Sequence, residues 1–458
     1  MTKNPLLIPE IRQFLKNNDK KAIQEFCQST HPGLVAEFIS PLTREEIWQL
    51  LKMVDPDLRA EIFSHLDLDL QIQLTESLSR QELAELISEM SPDDRVDLLK
   101  KLPEELKETL LPAIAQAERE DIRRLSSYPE GTAGAVMTSD YATLPPDINV
   151  KEALEKLRKE APDKETIYYC YVVDDDRRLL GFVSLKDLIL ARPDTLVKEI
   201  MNKDLIYAHV LEDQEEVARK IQKYDLIALP VVDDNHALVG IITYDDAMDI
   251  LTQEHTEDME KLMAITGSHE AGAYMRTPVI EHFKNRCGWL ILLALLGLVS
   301  GFIVERFEQV LVQFTILATF MPMLADTGGN TGSQSATLVV RALALKEITP
   351  GDCFKVLFKE FKVALLLGLT LAMVALIRVF IYYYTNSSNI PLEKIGAAVS
   401  IALCIQVVSS TLIGAALPLI AARFNKDPAV IASPALTTIV DITGLFVFFT
   451  TAKIILGI

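Results

Sequence analysis

The 458-residue sequence lacks the materials for several common chemistries. Its five cysteines (Cys27, Cys170, Cys287, Cys353 and Cys404) are odd in number, scattered and without a CxxC pair. That excludes a disulfide framework and a thiolate metal site. The seven histidines all precede residue 283, and no HExxH occurs among them. No phosphate-binding glycine loop or nucleophile–base pair is visible, so an enzyme is the weakest reading. Bases are scarce, 45 Lys+Arg against 64 Asp+Glu, for a net charge of −19. Nucleic-acid partners are therefore disfavoured, because phosphate contacts need a basic face. Residues 1–21 are polar and lack the apolar core of a signal peptide, so the soluble part is expected in the cytosol.

What is present is unevenly spread. Residues 276–458 carry 10 acids and 14 bases; the other 54 acids and 31 bases precede them, a net of −23. An acidic soluble half is followed by an apolar half, and the length predicts several domains. A surface of that charge suits a molecule that meets cations.

A bilayer crossing takes about 20 largely apolar residues. Five stretches qualify: Cys287–Val304, Gln309–Ala325 with its extension past Asp326 to Val340, Val363–Tyr383, Ile395–Ala422 and Ala429–Ala452. Arg378 interrupts the third close enough to its end to snorkel. With the amino terminus inside, inner segments collect Arg276, Lys284, Arg286, Arg341, Lys346, Lys355, Lys359, Lys362, Arg423 and Lys426, and outer loops only Arg306 and Lys394. This asymmetry places the amino terminus in the cytosol and the carboxyl terminus outside.

The soluble half carries two repeats. Residues 34–125 read as short helices, and Pro56-Asp57-Leu58-Arg59 echoes in Pro92-Asp93-Asp94-Arg95, which suggests stacked helix pairs, a small α-helical solenoid. Val172-Val173-Asp174-Asp175 through Gly181 and Ser184 to Asp187 recurs as Val231-Val232-Asp233-Asp234 through Gly240 and Thr243 to Asp246. Each copy reads as strand, acidic turn, strand and helix, preceded by an amphipathic helix (Lys151–Glu160, Glu215–Lys223) and by Met137-Thr138 or Met201-Asn202. This α/β unit resembles a tandem cystathionine-β-synthase-type (CBS) pair, a regulatory module that often senses adenine nucleotides such as ATP. The resemblance points to Ser184, Asp187, Thr243 and Asp246 as ribose contacts; ordinary helix N-caps account for the same residues equally well. Asp249, Glu254, Glu257, Asp258 and Glu260 then lie along an acidic amphipathic stretch leading to the membrane, which a solvated connector would match too. The expected division is 1–130 for the helical solenoid, 131–200 and 201–252 for the CBS copies, 253–280 for the connecting helix and 281–458 for five spans.

Two constellations in the spans resist explanation by packing. Pro322 to Thr337 places Gly328, Gly329 and Gly332 among Asp326, Asn330, Ser333, Gln334 and Ser335. Such glycines are expected to loosen a helix, and irregular backbone at membrane depth belongs beside a watery cavity, although small residues also serve close helix packing. The second is Asp441, near the middle of its span, with Thr437 and Thr438 on the same helix face. A mid-span carboxylate is costly and marks an ion or proton path.

Taken together, the solenoid, CBS pair, acidic linker and five spans resemble the MgtE family of magnesium channels. The specific likeness lies in the Pro322–Thr337 run, Asp427-Pro428-Ala429 and Thr437-Thr438-Ile439-Val440-Asp441-Ile442-Thr443-Gly444. The resemblance implies a homodimer with its pore at the subunit interface, and Asp441 holding a largely hydrated Mg²⁺. Gly328, Gly329, Asn330, Thr437 and Thr438 would line that pore. It further implies uptake down the electrochemical gradient and closure by cytosolic Mg²⁺ at Asp246, Asp249, Glu257, Asp258 and Asp427. Glu61, Asp93 and Asp94 are added as guesses for the solenoid side. The competing readings are a proton- or sodium-coupled divalent-cation carrier and a membrane-anchored nucleotide-sensing CBS protein.

Overall fold

The computed structural model describes residues 7–267, 274, 277–386, 391–431 and 434–457. Arg276 lies outside the described residues. The chain forms two compact units, Met1–Thr252 and Gln253–Ile458.

The first unit begins with short helices whose starts are written in the sequence. Pro56 and Pro92 open Pro56–Ser64 and Pro92–Lys101; a proline at the first helical turn forfeits only an amide that has no helical partner. Thr43 with Glu46 and Ser79 with Glu82 form full capping boxes, worth about 1 kcal/mol each. Alternate helices pack on one another, Pro32–Ile39 on Pro56–Ser64 and that in turn on Arg80–Glu89. Ile39, Ile47, Leu50, Leu51, Ile62, Phe63 and Leu74 are fully buried between them.

Two three-stranded sheets follow, β1 (Tyr141–Leu144), β2 (Thr166–Val173) and β3 (Leu179–Ser184), then β4 (Ala208–His209), β5 (Ala228–Val232) and β6 (Leu238–Thr243). In each sheet the first strand runs parallel to the second and the third is antiparallel to it. The two copies exchange their leading segments. Thr138 bridges to Ile241, and Asn202 bridges to Phe182. A Cβ on Gly240 would run into Met137, and one on Gly181 into the Asn202 carbonyl and Met201. The glycine of each third strand thus makes room for the methionine leading the other copy. The helix after β6, Tyr244–Leu262, continues without a break into the acidic connector.

Among the described residues of the second unit, four helices are long and apolar enough to cross a membrane: Val279–Arg306, Pro350–Tyr384, Glu393–Arg423 and Ala435–Leu456. The segment expected to cross from Gln309 to Ala325 differs. Glu308–Gln313 and a 3-10 stretch, Thr315–Phe320, precede one continuous helix, Met321–Ala344, which Pro322 opens. The glycines do not interrupt it. At about 1.5 Å per residue it is as long as a bilayer core is thick, but its glycines and polar residues keep it out of the apolar set. It packs against Leu392–Arg423 and Pro434–Leu456. Arg378 finds a partner within the protein, donating to the Thr319 carbonyl at 3.2 Å with its guanidinium 5.1 Å from the Phe320 ring.

Candidate functional site

The Met321–Ala344 helix has two unlike faces. Leu324, Gly328, Gly329, Thr331, Gly332, Ser335, Ala336 and Val339 are buried, a spacing that keeps them on one side. Close approach needs the missing side chains, since a Cβ on Gly414 would collide with the Gly332 backbone. Polar atoms on this side are satisfied inside the unit. Ser410 donates to the Gly328 carbonyl, Thr331 Oγ1 reaches the Thr327 carbonyl at 2.9 Å, and Ser335 Oγ donates to Glu360 at 2.8 Å. The opposite face carries Asp326, Asn330, Gln334, Thr337 and Arg341, all exposed within the single chain. Asn330 Nδ2 donates to Asp326 at 3.2 Å.

Asp441 is half-buried on Pro434–Leu456, as are Thr437 and Thr438. Among the described residues no Lys, Arg or His forms an ion pair with it. A Cβ on Gly329 would lie 3.2 Å from Thr437 Cγ2. Asn330 follows Gly329 and Asp441 lies four residues, about one turn, beyond Thr437, so both belong to the two helices that meet at this contact.

In the first unit the acids divide. Ser184 caps the helix after β3, donating to Asp187 Oδ2 at 2.6 Å while accepting from the Asp187 amide. Thr243 Oγ1 donates to Asp246 Oδ2 at 2.5 Å, and the same oxygen accepts from the Thr243 amide at 3.3 Å. In both pairs the hydroxyl and the carboxylate are engaged with one another. Asp187 is exposed, but Asp246 is half-buried. Burial, opposed by the Thr243 hydrogen bond and aided by the charges of Asp245 and Asp94, holds the Asp246 carboxyl above the usual range. Asp93 is raised by burial and then by Asp246 and Asp94, and its Oδ1 is buried with no hydrogen-bond partner among the described residues. Asp249 is raised by burial, Asp245 and Asp94. Glu165 was not foreseen: burial, then Asp93, Asp245, Asp94 and Asp140, push it up to about 7. It sits just before β2 in a segment with no periodic signal, so only the tertiary packing reveals it. Glu61 is exposed. Burial pushes the thiols of Cys27 and Cys170 up to about 12, which leaves neither as a thiolate at neutral pH.

Further along the Tyr244–Leu262 helix the arrangement changes. The Lys261 ammonium lies 2.6 Å from Glu257 and 3.1 Å from Asp427. Burial pulls the Lys261 pKa down, but hydrogen bonds to these two carboxylates outweigh it and leave it raised. Asp258 is half-buried on this helix. Leu262 packs with Val340, Ile413 and Leu417 around Ala336, Leu436 and Val440. The helix end therefore reaches the helices that carry Asn330 and Asp441. Among the described residues no group of three His, Cys, Asp or Glu side chains is arranged to hold a bare metal ion.

Comparison with known proteins places these features in one family. Residues 321–451 match the MgtE divalent cation transporter domain, 30–131 the MgtE intracellular N domain, and 133–194 and 197–253 the CBS domain. The chain is 42% identical over 338 residues to the magnesium transporter MgtE of Thermus thermophilus, covering 74% of this chain and 73% of that one. It is 36% identical over 345 residues to the magnesium transporter MgtE of Bacillus subtilis, with coverages of 74% and 73%. A crystal structure of the soluble part of a magnesium transporter superposes with a TM-score of 0.52 at 33% identity, covering 54% of this chain and 97% of that one. A helical amino-terminal domain, a CBS pair and apolar helices make this a multidomain membrane protein, and the chain belongs to the MgtE family of transporters.

Proposed function

We propose that the chain is a Mg²⁺-selective channel, a homodimer with its pore at the subunit interface, closed by cytosolic Mg²⁺. The observation that carries this reading is the polar stripe Asp326, Asn330, Gln334 and Thr337, exposed along a helix at membrane depth and ending at the exposed Arg341 on the inner side. Charged side chains cost about 2.5–3.5 kcal/mol each at the bilayer centre on insertion scales, so the stripe belongs against water and a second copy rather than lipid. Counting Met321–Ala344 gives five crossings, with the acidic domains in the cytosol and the carboxyl terminus outside. Lipid covers the remaining apolar faces.

Mg²⁺ holds its water shell tightly, and one or two carboxylates grasping those waters suit it better than a stripped cage. Asp441 from each subunit supplies two such carboxylates, with Thr437, Thr438, Gly328, Gly329 and Asn330 lining the approach. In the cytosolic unit Asp93, Asp94, Asp245, Asp246, Asp249 and Glu165 repel one another where the helical domain meets the second CBS copy. A divalent cation held there through its waters offsets that repulsion and favours compaction. The buried, unpartnered Asp93 oxygen fits such an ion. Glu257, Asp258 and Asp427 form the lower station, where Lys261 already supplies a positive charge. Compaction carried down the Tyr244–Leu262 helix presses Leu262 against the pore helices. An adenine nucleotide bound through its ribose would have to replace the Thr243–Asp246 cap, so Asp246 is assigned to cation sensing rather than to ATP.

The test is uptake into liposomes by the full-length protein, for Mg²⁺ against Ca²⁺, Mn²⁺ and Co²⁺, with and without a proton gradient. Preferential Mg²⁺ uptake that ignores the proton gradient supports the channel. A strict requirement for a proton or sodium gradient makes it a carrier.

A further inference from the structure

Gln406 lies within the Leu392–Arg423 helix and is fully buried. Its Nε2 donates to the Val440 carbonyl at 2.9 Å, one residue before Asp441. Two glycines make its place: a Cβ on Gly328 or on Gly444 would collide with the amide. A single side chain therefore touches the Met321–Ala344 and Pro434–Leu456 helices at the level of Asp441. Thr443 Oγ1 also reaches the Val440 carbonyl, at 3.1 Å, so this backbone oxygen is held from two sides. The other amide atom, Gln406 Oε1, is buried with no hydrogen-bond partner among the described residues. Leu or Met would fill the same volume without stranding an acceptor. Packing alone does not explain the amide.

We infer that Gln406 is a positioning residue for the ion pathway: wedged at Gly328 and Gly444 and bonded to the Val440 carbonyl, it fixes the height and rotation of the helix that carries Asp441. The inference rests on the proposed role of Asp441 in the pore. A slip of one residue moves a helical side chain by about 1.5 Å and turns it by about 100°. Charge-assisted O–H···O⁻ bonds to metal-bound water tolerate much less, their lengths clustering within about 0.2 Å. Loss of the amide should therefore degrade discrimination among hydrated cations before it abolishes conduction.

Full-length protein in liposomes provides the test, with Mg²⁺ and Ca²⁺ fluxes measured for Gln406→Leu, Gly444→Ala, their double variant and Asp441→Asn. Gln406→Leu deletes the hydrogen bond, and Gly444→Ala drives a methyl into the amide. Each should lower the Mg²⁺:Ca²⁺ flux ratio by about tenfold or more, up to the roughly hundredfold cost of misplacing a reacting group by about 1 Å. The double variant should be no worse than Gln406→Leu, because both changes act through one contact. If Asp441→Asn stops Mg²⁺ flux while Gln406→Leu and Gly444→Ala discriminate normally, the positioning role is wrong and the pore reading stands. Selective Mg²⁺ flux through Asp441→Asn overturns both. Additive losses in the double variant show two independent packing defects and also overturn the inference. Should Gln406→Leu fail to fold, Gln406→Met together with Gly444→Ala decides in the same way.

Discussion

Asp187 and Asp246 occupy equivalent places in two copies of one repeat, and each accepts a hydrogen bond from the hydroxyl that ends the third strand of its sheet. Asp187 faces solvent. Asp246 faces the helical domain, where burial, then its own neighbour Asp245 and Asp94, raise its pKa, and it adds to the burial that raises that of Asp93. The motif fixes the local hydrogen bond, and the tertiary neighbours decide whether the carboxylate becomes part of a crowded acidic surface. Asp441 is the opposite extreme, an acid with no ion-pair partner among the described residues. Crowded carboxylates need a cation in order to pack; a solitary one at membrane depth needs a cation or water to be tolerated at all.

The largest change to this contrast comes from removing the inner acids together. Replacing Asp246, Asp249, Glu257 and Asp258 by Ala should keep the channel open at internal Mg²⁺ that closes the parent, a shift of more than about tenfold, or 1.4 kcal/mol. Single-channel recording at low and high internal Mg²⁺ reads it. Normal closure would reduce these four to ordinary surface charges. A charge-only account predicts the reverse, easier compaction and a more closed channel.

Asp93→Asn takes away one carboxylate and leaves the packing. The concentration of Mg²⁺ needed for closure should rise by roughly threefold to tenfold, on the order of 1 kcal/mol. With Mg²⁺ absent, the same variant should resist proteolysis better than the parent, since a repelling charge is gone.

Acidity provides a smaller, graded test. Glu165 is pushed up to about 7 by burial and neighbouring acids. Its folded-state pKa exceeds the unfolded one, so its contribution to stability is complete at pH below the ordinary glutamate range and is lost as pH rises through about 7. Without Mg²⁺, protease resistance of the soluble unit should decline between about pH 5 and pH 8. Added Mg²⁺ should flatten the decline, and more of it should be needed at the acid end, where protons compete for the same oxygens. A profile indifferent to Mg²⁺ contradicts a cation site at these acids.

The smallest effect belongs to the other copy. Asp187→Asn weakens an exposed cap by at most about 1 kcal/mol and should leave the Mg²⁺ dependence of closure unchanged. An Asp187→Asn shift as large as that of Asp93→Asn would erase the distinction drawn here.

Much of this organisation was legible in the sequence, for physical reasons that differ by element. The strand repeats carry their Asp turns, glycines and leading methionines in fixed order, so the antiparallel pairs β2–β3 and β5–β6 could be read locally, whereas β1 and β4, which pair in parallel across an intervening helix, could not. Helix starts at Pro56 and Pro92 were equally plain. The Met321–Ala344 helix was harder. Three glycines within five positions suggested a loosened backbone, but Ser410, Gly414 and Gln406 occupy the space they leave and the helix stays continuous. Periodicity within a single segment says nothing about a partner helix. The same limit hid Glu165 and Gln406, whose significance comes entirely from residues distant in sequence. Lys261 between Glu257 and Asp427 was also unforeseen: the acids stood out, but the base between them did not.

On the proposed reading, Asp441 binds the conducted ion. Mg²⁺ flux through purified Asp441→Asn in liposomes, beside the parent protein and with folding and assembly verified for both, tests it most directly. Loss of Mg²⁺ flux is expected in a protein that remains folded and assembled. Undiminished, Mg²⁺-selective flux through Asp441→Asn would contradict it.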